Sequence, residues 1–215
     1  MHLPDGFISG PINLACAAVA VGAIALALAR IRSTLAEQQV PLLGMTAAFV
    51  FAAQMLNFPV AGGTSGHFLG ATFALVLLGP WAACLVISLV LMVQCLLFAD
   101  GGLTALGTNM VNMAVVGVIV PALVLALGRL LPRSRGASLA VIGVASWLSV
   151  LAASAACAFQ LGFSGHPVAP VLTAMLGVHA VIGVGEALIT IAVVSSVLAA
   201  RPELLPDLRH AEATS

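Results

Sequence analysis

The sequence predicts an all-α protein that crosses a membrane seven times, with its amino terminus outside and its carboxyl terminus in the cytoplasm. Three observations carry this expectation. Apolar residues make up 62% of the 215-residue chain and charged residues only 7%, whereas a soluble domain has about a quarter charged residues. The apolar residues fall into long runs separated by glycine-rich or polar breaks. Every arginine lies in or beside breaks that alternate threading assigns to one side.

A hydrocarbon core about 30 Å thick needs roughly 20 apolar residues per helix. Ile12 to Ala29 meets this as the first span, uncharged throughout and closed by Arg30 and Arg32. It does not read as a signal peptide, because MHLPDGFISGP lacks a basic leading region and carries Asp5 there. The second run, Val40 to Phe58, ends at the break AGGTSGH. His67 to Gly79 is short for a span and is expected to be a half-buried or strongly tilted helix. Pro80 restarts an apolar run to Phe98, closed by Asp100-Gly101-Gly102. Met110 to Leu131, Ala137 to Phe163 and Val171 to Ala199 complete the set. Residues 1–200 then form one membrane domain and 201–215 a polar cytoplasmic tail.

With the amino terminus outside, Arg30, Arg32, Arg129, Arg133, Arg135, Arg201 and Arg209 all face the cytoplasm. The same threading gathers His2, His67, Asp100 and His166 near the outer face. Formal charge is zero, which argues against nucleic acid as a partner. Cys16, Cys84, Cys95 and Cys157 sit singly in apolar runs and read as small hydrophobes, neither a disulfide frame nor a zinc site.

The chemistry concentrates at the front of the chain. His2 is too bulky for ordinary removal of the initiator, so the mature chain is expected to keep Met1 and present an unblocked α-amine beside an imidazole. That amine, the peptide nitrogen of residue 2 and His2 Nδ1 can close five- and six-membered chelate rings around one divalent ion. The peptide nitrogen must lose its proton, which requires a strongly polarising metal. His67 is the natural fourth nitrogen, since Gly62, Gly63 and Gly66 allow close backbone approach before it. A square of nitrogens suits Ni(II) or Cu(II), and low-spin Co(II) accepts it, whereas Zn(II) prefers a tetrahedron and Mg(II) and Ca(II) prefer oxygen. The competing reading is that His2 is merely the second residue and His67 caps a helix.

Other polar residues divide into support and scaffold. Asp100 is placed either to accept a hydrogen bond from the amine or an imidazole, or to be a solvated turn acid. Asn57, Thr64, Ser65, Asn109 and Asn112 lie in or near spans, where unmet polar groups are expensive, and are expected to hold loops against helices around the site. Asp5, between Pro4 and Gly6, is expected to fix the amino-terminal turn. Glu186 is the one carboxylate in the middle of a helix, with His179 two turns earlier on the same face; a packed hydrogen bond is expected there and a proton relay is the alternative. His166 reads as a loop residue and His210 as part of the solvated tail.

The opening MHLPDGFIS, the stretches NFPVAGGTSGHFLGA and FADGGLTALGTNMVNM, and the late GEALIT together resemble the CbiM/NikM family. These are substrate-capture subunits of energy-coupling-factor transporters for cobalt and nickel. The resemblance covers nearly the whole chain. It implies seven transmembrane helices in a bacterial or archaeal inner membrane, and a site in which Met1, His2 and His67 hold transported Co(II) or Ni(II), with no permanent cofactor. It also implies partners: a transmembrane coupling subunit, two cytoplasmic ATPases and often a small accessory membrane protein. The chain itself carries no GxxxxGK[ST] loop and is expected not to be an enzyme.

Two other classes stand beside this expectation. A proton-coupled secondary metal transporter would use Glu186 and His179 as its relay. A membrane metalloenzyme or sensor would need an open coordination position and a base, and neither HExxH, paired carboxylates nor a nucleophile elbow occurs.

Overall fold

The computed structural model describes residues 1–32, 39–60, 64–131, 134–205 and 208, with backbone alone at 58–60 and 64–65. Arg133, Arg209 and His210, Gly62 and Gly63, and the side chains of Thr64 and Ser65, fall outside the described residues.

Seven helical bodies occur among the described residues. Helix α1 spans Gly10–Ile31, α2 Val40–Gln54, α3 Ala71–Leu78 and α4 Pro80–Phe98. A continuous rod follows, made of α5 (Leu106–Met110), a π-helical segment (Val111–Val116) and α6 (Gly117–Gly128). Helix α7 runs Arg135–Phe163 and α8 Val168–Ala200, before a 3-10 turn at Pro202–Leu204. Prolines occupy the first turns of α1, α2 and α4, where their missing N–H groups have no intrahelical partner to lose. At α7, Ser134 Oγ instead accepts from Ala137 N–H at 3.2 Å.

Five bodies are long and apolar enough to cross a membrane: α1, α4, the Leu106–Gly128 rod, α7 and α8. The 33 residues of α8 extend about 50 Å at 1.5 Å per residue, so this helix exceeds the hydrocarbon thickness. Helix α1 is the most outward-facing, with Ala20 and Ala27 its only buried residues. Its exposed Leu14, Val19 and Leu26 suit contact with lipid.

Three sequence boundaries move by four residues, the others by less. The second run stops being helical at Gln54, and Phe58–Val60 pairs antiparallel with Thr64–Gly66, Phe58 opposite Gly66. The fifth body begins at Leu106, four residues before the expected Met110, and this added turn carries Gly107 against Ala17 of α1 and Asn109 against Leu3. The third helix begins only at Ala71. Residues His67–Gly70 are instead non-helical and buried inside the bundle. Irregular backbone survives at such depth only where protein satisfies its polar groups. Here Gln54 Nε2 donates to Leu69 O at 2.7 Å and Glu186 takes two backbone N–H groups. Gly70, at φ +76°, makes the turn into α3; a Cβ there would lie 2.9 Å from both Phe68 Cε1 and Val50 Cγ2, so any side chain would be strained and would displace its neighbours.

The rod solves a related problem. Pro121 inside α6 cannot donate to the carbonyl four residues back, that of Gly117. Ser149 Oγ of α7 donates to Gly117 O at 2.7 Å in its place. Helices α7 and α8 pack along their lengths, joined by Trp147 Nε1 donating to Ala180 O at 3.0 Å.

One end of the bundle collects the site. The start of α1 meets the end of α7, where Ser9 N donates to Ser164 Oγ at 3.0 Å, and the end of α4 delivers Asp100 there. Among the described arginines, Arg30 closes α1, Arg129 follows α6, Arg135 opens α7 and Arg201 follows α8, all at the opposite helix ends. Arg30 stacks over Trp81 at the start of α4, 5.6 Å from the ring centroid.

Candidate metal centre

Residues 1–9 precede α1 and fold down into the bundle instead of trailing away. Met1 and Leu3 are fully buried and His2 is 4% exposed. Four sets of contacts hold them. Leu3 N donates to Asn109 Oδ1 at 2.9 Å and Asn109 Nδ2 returns to Leu3 O at 3.2 Å. Gly102 N also donates to Leu3 O at 2.8 Å; a Cβ at Gly102 would overlap the backbone of Pro4 and Asp5. The Asp5 carboxylate accepts from Thr104 N at 2.7 Å, Thr104 Oγ1 at 2.5 Å and Leu103 N at 3.2 Å. His166 Nε2 lies 3.0 Å from Phe7 O, with its ring stacked on Phe7 at 5.9 Å.

Asp5 therefore ties residues 1–9 to the loop after α4, beyond its own turn, and its carboxyl is held below the usual range by the Thr104 hydroxyl and amide. His166 is a staple on the amino-terminal segment as well as a loop residue. Replacing Asn109 by Ala is expected to strand the buried Leu3 N–H at about 1–3 kcal/mol. Thermal unfolding in detergent should show a lowered midpoint.

The two imidazoles named by the sequence meet at the bottom of this segment. His2 and His67 stack with centroids 4.5 Å apart and planes 18° from parallel, and His67 is fully buried. His67 Nδ1 lies 2.7 Å from Phe68 O, so it carries the proton and Nε2 bears the lone pair. His67 Nε2 and both ring nitrogens of His2 are buried without a hydrogen-bond partner, an arrangement that is costly unless another ligand is intended. His2 Nδ1 faces Asp100 Oδ1 at 3.0 Å, and Asp100 Oδ2 accepts from Asn57 Nδ2 at 3.0 Å. Of the two roles open to Asp100, the geometry takes contact with the imidazole over the solvated turn. Asn57 reaches the centre through Asp100.

Burial sets the electrostatics. Desolvation lowers the Met1 amine to about 5, with the nearby Cys157 thiol and Asp100 opposing it. Such an amine is a neutral donor at pH 7. Burial likewise lowers the His2 imidazole against the pull of Asp100. For Asp100 burial works upward and is the largest single influence, but the His2 imidazole, Asn57 and the Met1 amine together outweigh it and hold the carboxyl below the ordinary range.

Among the described residues no three His, Cys, Asp or Glu side chains converge around a metal-sized point. Side chains thus offer two imidazoles, and further nitrogens must come from the main chain. The Nδ1 that the chelate argument assigns to the metal is the one facing Asp100. Closing the rings through it requires the imidazole to leave the carboxylate.

Glu186 and His179 are not bonded to each other. His179 is buried with Nδ1 2.7 Å from Met175 O, and Glu186 spends both oxygens on backbone N–H groups. Asn112 joins the rod to α7 through Gln160 Oε1 at 2.8 Å. Sequence reasoning missed Gln54 and Gln94, both fully buried, with Gln94 beside His2. Their signal was available, as an amide side chain alone in an apolar run.

The model of the CbiM family, described as the cobalt uptake substrate-specific transmembrane region, matches residues 2–204. The chain belongs to the CbiM family. A putative fused nickel transport protein, NikMN, of Archaeoglobus fulgidus is 39% identical over 95% of this chain and 68% of its own length. A putative metal transport protein of Haloquadratum walsbyi is 40% identical over 95% of this chain and 93% of its own. The crystal structure of a truncated transition metal transporter superimposes with a TM-score of 0.87 at 30% identity, covering 92% of this chain and 98% of that one. As a CbiM-family member the chain is a multi-pass membrane protein of a metal-transport family, not an enzyme.

Proposed function

We propose that the chain captures Co(II) or Ni(II) from outside the cell and passes it inward as one subunit of an ATP-driven uptake system. The Met1 amine, the peptide nitrogen of residue 2 and the His2 imidazole form three nitrogens of the binding set, and His67 Nε2 the fourth. Asp100, Asn57, Asn109 and Ser65 support that set. Seven membrane passages, with the amino terminus outside, place the site at the outer face and the arginines in the cytoplasm. A transmembrane coupling subunit and two ATPases complete the system, with a small accessory membrane protein in some assemblies. Residues 1–200 act as the membrane domain and 201–215 as its tail.

The observation that carries the reading is the burial of residues 1, 2 and 67 together, with stacked rings and with His2 Nδ1 and His67 Nε2, the two ring nitrogens of the proposed set, buried without a hydrogen-bond partner. Four nitrogens of this kind select a late first-row ion over oxygen-seeking Mg(II) or Ca(II). The relay alternative loses its acid, because Glu186 is engaged by Leu69 and Gly70 N–H.

Uptake of labelled nickel and cobalt by cells carrying the complete system tests the reading. Disabling ATP hydrolysis in the partner subunits should stop uptake, and collapsing the proton gradient should leave it. The reverse pattern would establish the secondary transporter.

A further inference from the structure

The residue of this molecule with the least apparent reason to be where it is remains Glu186. It lies midway along α8, 1% exposed, on a buried face shared with Met175, His179, Gly183 and Thr190. A carboxylate in that position is expensive unless its oxygens are met. Both are: Oε2 accepts from Leu69 N at 2.6 Å and Oε1 from Gly70 N at 2.7 Å, across 117 and 116 residues of sequence. These N–H groups stand at the amino-terminal end of α3, where donors are otherwise unmet and the helix dipole favours negative charge.

The Leu69 N–H belongs to the same planar peptide unit as the Phe68 carbonyl. That carbonyl accepts the His67 Nδ1 proton at 2.7 Å. One rigid unit is thereby gripped by Glu186 at its N–H and grips the imidazole at its C=O. The next carbonyl, Leu69 O, is held by Gln54 Nε2 of α2 at 2.7 Å. Withdrawing Glu186 frees the peptide to tilt, and the direction of His67 Nε2 tilts with it.

We infer that Glu186 is a positioning residue for metal capture, aiming His67 Nε2 through the Phe68–Leu69 peptide and linking that aim to α8. This rests on the proposal that His67 binds the metal. Glu186 touches no metal itself; it does for His67 what outer partners do for ligating histidines, whose loss weakens metal affinity by about 10–100-fold.

The test titrates the purified full-length chain in detergent with Ni(II) and records affinity and the ligand-field absorption bands. In Glu186→Gln one oxygen is replaced by an NH2 that cannot accept from an N–H, so about 10-fold or more of affinity should be lost and the bands should shift. In a His67→Ala background the same change should add little, because the two residues act in series. Equal losses in both backgrounds, or an unchanged Glu186→Gln with a weakened His67→Ala, overturn the assignment alone. An unchanged His67→Ala removes the parent reading and this one with it. Gln54→Leu releases the adjoining carbonyl while leaving α8 intact, and serves if Glu186→Gln does not fold; it too should lose affinity only when His67 is present.

Discussion

Replacement of His2 by leucine is expected to abolish high-affinity Ni(II) and Co(II) binding. The native order lets one chain end close a five-membered ring from amine to peptide nitrogen and a six-membered ring from that nitrogen to His2 Nδ1. Leucine is also too bulky for ordinary removal of the initiator, so Met1 and its amine stay while the imidazole and the six-membered ring are lost. Met1 is fully buried and Leu3 is bonded to Asn109 and Gly102, contacts that the substitution leaves in place. Loss of outer partners alone costs about 10–100-fold, and loss of a ligand together with its chelate ring should exceed that. Calorimetric titration of purified protein reads the result directly. Retained nickel and cobalt affinity in His2→Leu refutes the chelate.

The second large effect is expected from His67→Ala. The substitution removes the one donor in the set that comes from elsewhere in the chain, leaving at most three nitrogens. Affinity should fall by more than about 100-fold, beyond the range for outer partners. Membrane insertion should persist, since His67 lies outside the five long apolar helices. The measurement pairs metal titration with recovery of monodisperse protein from membranes. Undiminished affinity in well-folded His67→Ala protein would show that the stacked pair has another purpose. The cavity left beside the His2 ring adds a modest stability loss, which a thermal melt separates from the metal effect.

The long helices were legible because hydropathy is a local property. Ile12 to Ala29 and Pro80 to Phe98 announce their own length and lack of charge, and helices occupy both. The short third body was legible in kind but not in extent. Between Gly66 and Gly70 the residues favour no regular element, and Glu186 and Gln54, remote in sequence, help make a buried irregular segment tolerable there. His2 and His67 could be named in advance from their nitrogens and the glycines beside them. Asp100 was undecided between two roles, since a turn acid and a partner for His2 share the same sequence signature. Gln54 and Gln94 went unremarked because a single amide in an apolar run carries no direction.

Composition and the spacing of apolar runs were enough to determine that this is a membrane protein of long helices, with arginines gathered at one set of helix ends and a donor-rich front end. Those conclusions follow from transfer free energies that each segment carries by itself. The tertiary structure alone decided that residues 1–9 descend into the bundle, that the two imidazoles stack, and that the mid-helix acid of α8 holds the peptide beside His67. Such pairings depend on which buried polar groups find partners once the helices pack, and that is a property of distances no stretch of sequence contains.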